Sequence, residues 1–282
     1  MFLKEGIDKI TIAINPMFIS PDINRRKYID PKKWLTIHRK GWLWVLDIHC
    51  ERLNPFVDFH FQIAEIIYEL IERKVLQFPN NQFTRLFVHN CLDWFVYYVR
   101  ELEFYFDFKD EDVFINEDEN DLNVPEDEKK FIDVGGTKYS KDFRPGVRDS
   151  VISIYDRHNR QKKVNQLSYK EIESNPYRRR IEFRLKVCNC DYLHLDNLKG
   201  TYGEIISRYA PYLAGLFNRY ASYSVWVNDE EHEWFQRINA LSKKGVQRTR
   251  TTLKKSDKGY KKRGSDKELD AKWEMIRMIF RV

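Results

Sequence analysis

Apolar residues recur along this chain with two periods, one of two residues and one near 3.6. Ile10, Ile12 and Ile14 alternate with Lys9, Thr11 and Ala13, which predicts a strand over 8–14. The stretch 15–40 holds three prolines and scattered bases and reads as mostly loop, and 42–51 (WLWVLDIHCE) reads as a second strand. Asp58 is placed to N-cap a helix from Phe59 to about Leu76, in which Ile63, Ile66, Ile67, Leu70 and Ile71 share one face. Pro79 stops it, and a second helix is expected from Asn81 to about Tyr97.

The period then returns to two. In 100–108 (RELEFYFDF), Leu102, Phe104, Phe106 and Phe108 share one face and Glu101, Glu103, Tyr105 and Asp107 the other. Residues 150–156 form another expected strand. In 178–187, Ile181, Phe183, Leu185 and Val187 alternate with Glu182, Arg184 and Lys186. Thr201 reads as the N-cap of a helix running to about Tyr223 with Pro211 inside it, followed by helices over Asp229–Leu241 and Lys267–Phe280. The sum is an α+β fold: a mostly antiparallel sheet with packed helices and a basic C-terminal extension. Residues 1–241 form the expected folded domain, interrupted by an acidic loop over 109–130, and 242–282 form a basic linker and terminal helix.

Composition adds size and compartment. The 282 residues are 42% hydrophobic and 33% charged, enough apolar chain to bury a core. No apolar run is long enough to span a bilayer, and the N-terminus has acids inside its apolar stretch and no small-residue cleavage site, so neither a membrane span nor a secretory signal is expected. Cys50, Cys91, Cys188 and Cys190 do not make a disulfide framework, and the cytoplasm is the expected location. Cys188, Cys190 and His194 offer three ligands in C-x-C-x3-H, but a fourth is missing locally and zinc sites usually space their cysteines as C-x2-C, so packing is the better reading.

The net charge of +6 is unevenly spread. Ten acids against three lysines lie between Lys109 and Lys130, whereas eleven bases against two acids lie between Lys243 and Lys267. The basic run, with Lys243, Lys244, Arg248, Arg250, Lys254, Lys255, Lys261, Lys262 and Arg263, has almost nothing to pack a core. Such a run binds polyphosphate by releasing counterions, so nucleic acid is the expected partner. A solubilising tail, or a strip folded back on the acidic loop, is the alternative.

Candidate chemistry centres on two places. Glu101, Glu103 and Asp107 on one strand face need a cation if buried, which Mg²⁺ or Mn²⁺ satisfies. The competing reading is that this face is solvated or pairs with Glu182, Arg184 and Lys186 on a neighbouring strand. Tyr155 ends an apolar strand beside Asp156, Arg157, His158 and Arg160, where a phenolate held by cations has the chemistry to attack a phosphodiester; Tyr139, in KYSKDFR, is its rival. There is no G-x4-G-K-[ST], H-E-x-x-H, G-x-S-x-G or His-hydrophobe-His pair, which argues against a P-loop ATPase, a metalloprotease and a serine hydrolase.

Arg100 with Glu103 and Asp107, then Tyr155-Asp156-Arg157, then Arg180-Ile181-Glu182 with Arg184 and Lys186, followed by a long helix, resembles the trans-acting replication initiators of small rolling-circle plasmids and phages. The resemblance spans roughly residues 80–225. It implies an enzyme that nicks one DNA strand at an origin through a tyrosine, stays joined to the 5′ phosphate and holds a divalent metal with carboxylates. Carried over, Tyr155 is the nucleophile and Glu103, Asp107 and Glu182 the carboxylates of Mg²⁺ or Mn²⁺. Arg157 stands where the family has lysine, Arg160 where a glutamate is common, and the acidic loop is an addition. The expected partner is single-stranded or supercoiled origin DNA. A homodimer is open, and a non-enzymatic DNA-binding or plasmid and phage maintenance protein is the rival reading.

Overall fold

The computed structural model describes residues 5–23, 27–32, 34–41, 43–78, 84–109, 113–115, 129–131, 141–143, 151–156, 176–186, 193–220 and 225–227. Its centre is an antiparallel sheet of seven strands: β1 (Glu5–Ile14), β2 (Tyr28–Ile29), β3 (Leu35–Lys40), β4 (Leu43–His49), β5 (Val96–Phe108), β9 (Val151–Asp156) and β10 (Arg179–Lys186), in the order β2-β3-β4-β1-β5-β10-β9. Two short ladders are not hydrogen-bonded into it, β6 (Val113–Ile115) with β11 (Val225–Val227) and β7 (Lys129–Phe131) with β8 (Lys141–Phe143). The fold is α+β, as the two periodicities require.

One sheet face is apolar. Ile10, Ile12, Leu46, Ile48, Leu102, Phe104, Phe106, Ile181, Phe183 and Leu185 are buried there. Helix α1 (Phe59–Glu72) contributes Phe59, Ile63, Ile67 and Leu70 to the same core, and α4 (Tyr202–Tyr220) adds Ile205, Tyr209, Leu213 and Phe217. The Phe104 and Tyr209 rings lie 5.3 Å apart, so α4 packs against the middle of β5. Helix α4 runs through Pro211 and begins with a capping box, in which Glu204 accepts from the Thr201 backbone N–H at 2.7 Å while Thr201 accepts from the Glu204 N–H.

Three expectations change. The stretch 15–40 is not mostly loop: Leu35 and Ile37 are buried and alternate with Thr36 and His38 in β3, which pairs with β4. Helix α1 ends at Glu72, four residues early, because Lys74 takes a positive φ of 58° and turns Val75 and Leu76 back into the core. The expected helix over 81–97 is two short ones, α2 (Arg85–Asn90, capped by Thr84) and α3 (Leu92–Phe95). Val96-Tyr97-Tyr98-Val99 is β-branched and aromatic, and it lengthens β5 and pairs with β1 instead. The expected helices over 229–241 and 267–280 lie outside the described residues.

The Asp58 cap does more than start α1. One carboxylate oxygen accepts from Phe61 N–H at 2.7 Å and the other from Gly200 N–H at 2.5 Å, while Phe59 N–H donates to Gly200 C=O at 2.8 Å. Gly200 has φ +108°, and a Cβ there would meet the Glu204 carboxylate at 2.7 Å, so glycine is required at this junction between the two core helices. Asp58→Ala is expected to cost about 2 kcal/mol in urea denaturation, at the upper end for a helix cap because two N–H groups lose their acceptor. A loss no larger than that of an exposed helix position would contradict the double role.

Candidate functional site

The face opposite the core is polar, and the strand register arranges it in rows. Asp107 stands across from Arg180, and Arg180 across from Tyr155. The next row runs Gly6, Tyr105, Glu182, Ser153; the next Lys9, Glu103, Arg184, Val151; the last Thr11, Glu101, Lys186. A residue two positions along a strand stays on the same face, so each acid of β5 meets a base of β10 directly opposite. Between Ile7 and Lys9 the β1–β5 register shifts by one residue, leaving Asp8 as the extra residue of a bulge whose carboxylate reaches the polar face.

Burial makes this face unlike a solvated one. Asp107 is 1% exposed, Glu182 2%, Glu103 5% and Arg180 8%. Arg180 forms a two-pronged pair with Asp107, Nε donating to Oδ1 at 2.7 Å and Nη2 to Oδ2 at 3.0 Å, and its Nη1 donates to Asp8 at 3.2 Å. The guanidinium also lies 4.1 Å from the centre of the Tyr105 ring. That ring in turn covers Gly6, where a Cβ would fall 2.8 Å from the phenol oxygen; the absence of a side chain at position 6 lets Tyr105 lie flat over the strand.

Arg184 gathers three carboxylates. Its Nε donates to Glu103 Oε1 at 2.5 Å and lies 3.4 Å from Glu101 Oε1, and its Nη2 is 3.5 Å from Glu182 Oε1. Burial pushes the Glu103 carboxyl up to about 8; Glu182 adds to the rise, Arg184 opposes it, and the hydrogen bond to Glu101 adds again. Burial works against the charge on Arg184, but Glu103, Glu182 and Glu101 together outweigh it and hold its pKa above the ordinary arginine value. Further along the sheet, Asp47 accepts from Thr11 Oγ1 at 2.5 Å and pairs with Lys9 Nζ at 3.3 Å, with His38 Nδ1 at 3.6 Å. Burial lowers the His38 pKa against the pull of Asp47.

Glu103, Asp107, Glu182, Arg184 and Lys186 therefore share one face of β5 and β10, and Tyr155 joins that face by register. The acids divide between two arginines: Asp107 belongs to Arg180, and Glu103 and Glu182 belong to Arg184. Tyr139, Arg157 and the bases Lys243, Lys244, Arg248, Arg250, Lys254, Lys255, Lys261, Lys262 and Arg263 lie outside the described residues, as do Cys188 and Cys190. No family model matches the chain, and no curated protein matches it significantly. Among the described residues no group of three or more His, Cys, Asp or Glu side chains is disposed to hold a metal ion, and no helix is long and apolar enough to cross a membrane. The carboxylates assigned to Mg²⁺ or Mn²⁺ by resemblance are bonded to guanidinium groups. As they stand they offer a metal no open set of oxygens.

Arg180 enters the sequence reading only as part of the resemblance, without a site role, and Asp8 does not enter as a site residue at all. Arg180 is one alternation before Glu182, so extending the period by a single step reaches it. Asp8 has no such signal, because a bulge breaks the alternation that would reveal it.

The Glu103 carboxyl gives a pH dependence of defined sign. Its folded-state value of about 8 exceeds the ordinary 4.5, so the folded protein keeps a proton that the unfolded chain has released. Its contribution is complete below the ordinary value and is lost as the pH rises through about 8. The unfolding free energy measured in urea is expected to fall across that window less steeply in Glu103→Gln than in the wild type. Equal slopes in the two proteins would contradict a protonated Glu103.

Proposed function

We propose that the protein binds DNA in the cytoplasm and cleaves one strand through Tyr155, as the rolling-circle initiators it resembles do. The observation that carries the reading is the row Asp107–Arg180–Tyr155, which runs across three adjacent strands, with Glu182 and Arg184 in the next two rows of the same face. In the proposed step the Tyr155 oxygen, having given up its proton, bonds to phosphorus. The bond from phosphorus to the 3′ oxygen breaks, and the departing oxygen takes up a proton as the 3′ hydroxyl. Arginine is suited to holding the phosphate, and Arg180 stands directly across from Tyr155, with Arg184 two rows along the same face. The bases between Lys243 and Lys267 supply sequence-independent affinity for the strand.

A second reading is favoured by the ion pairs themselves. Asp107, Glu103 and Glu182 are all engaged by the protein's own arginines, which suits a non-enzymatic DNA-binding or plasmid and phage maintenance protein whose charged face is structural.

Incubation of the full chain with supercoiled and single-stranded DNA, with Mn²⁺ in one arm and a chelator in the other, separates the two. The nicking reading expects a covalent protein–DNA adduct that disappears in Tyr155→Phe and persists in Tyr139→Phe. An adduct that survives Tyr155→Phe reassigns the nucleophile. Salt-sensitive DNA binding with no adduct in either arm supports the second reading.

A further inference from the structure

We infer that Arg184 is the resident cation of the carboxylate face, holding Glu103 and Glu182, two of the three carboxylates that the initiators' pattern gives to a divalent metal, together with Glu101. Three observations carry this. The guanidinium lies 2.5 Å from Glu103, 3.4 Å from Glu101 and 3.5 Å from Glu182, so the oxygens that would have to converge on a metal converge on Arg184. Asp107, the remaining carboxylate of that pattern, has both oxygens taken by Arg180 and lies in a different row of the sheet. Glu103 and Glu182 are almost fully buried, so little of either side chain faces the solvent from which an ion would be recruited.

Chemistry makes the occupancy durable. A guanidinium stays charged at any pH at which the protein folds, and its planar fork presents several N–H donors to several carboxylates at once. A Mg²⁺ ion demands oxygens at about 2.0–2.1 Å in octahedral array and gives up its water reluctantly. To enter, a metal would have to expel a covalently tethered cation and recover the hydrogen bonds it leaves. The positive charge on this face is therefore encoded in the chain, and the inference stands whether or not Tyr155 cleaves DNA.

The test uses the full-length protein and Mn²⁺ alone, followed by the electron paramagnetic resonance of the free ion and by thermal unfolding. Acidic residues elsewhere bind Mn²⁺ weakly, so the decisive quantity is a difference between proteins. Wild type and Glu182→Gln are expected to bind the same number of ions, with the same small shift in unfolding temperature. Arg184→Gln, which vacates the centre of the three carboxylates, is expected to gain one site and to be restabilised by Mn²⁺, and that gain is expected to vanish in Arg184→Gln/Glu182→Gln. A site present in wild type and lost in Glu182→Gln would overturn the inference, as would a folded Arg184→Gln that gains none. Should the variants not fold, wild type alone decides: paramagnetic broadening of the Arg184 side-chain NMR signal at stoichiometric Mn²⁺ overturns the inference, and a sharp signal supports it.

Discussion

The pairing of buried carboxylates with Arg180 and Arg184 across the β5–β10 seam is the interaction on which the polar half of the sheet depends. Each ion taken from water carries a penalty of several kcal/mol, and attraction between partners offsets it only where the geometry is close and the remaining donors and acceptors are filled. Both conditions are met here. Asp107 has both oxygens filled by one guanidinium, which is itself covered by the Tyr105 ring and contacted by Asp8. At Glu103 burial favours the protonated carboxyl, which lessens the penalty in another way, while Arg184 opposes that shift. Antiparallel pairing sets this up, because it places Asp107 opposite Arg180 and Glu103 opposite Arg184 without any loop having to carry them there.

The same register gives the sheet two unlike faces. Phe104, Phe106, Phe183 and Leu185 bury their side chains in the core to which α1 and α4 also contribute, while the intervening residues form the charged layer. A slip of one residue between β5 and β10 would bring the phenylalanines to the polar side and the acids into the core, so charge pairing and apolar packing specify one alignment together. Tyr155 depends on that alignment at one remove. Its place in the Arg180 row follows from β9 pairing with β10, and a function resting on Tyr155 rests on the seam as well.

How much of this was legible in the chain follows from the local physics. The alternation in 100–108 and 178–187 revealed both strands and assigned their faces, because a period of two has no competing explanation over so many residues. It did not say whether the acidic face meets water, a metal or a base, since that depends on which strands are neighbours. Residues 35–40 were missed because only Leu35 and Ile37 mark the strand and prolines precede them. The 81–97 stretch was misread because its apolar spacing suits a helix until Val96, where pairing with β1 prevails over local preference. Asp8 is hidden by the bulge. The basic run, plain in the sequence, lies outside the described residues.

The most direct measurement is side-chain ¹⁵N NMR of the arginine Nε–H groups in the wild type and in Asp107→Asn. The account predicts that the Arg180 and Arg184 signals are strongly protected from exchange with water and that, of these, only the Arg180 signal loses protection in the variant. Arginine Nε–H groups that all exchange at the rate of exposed side chains would contradict it.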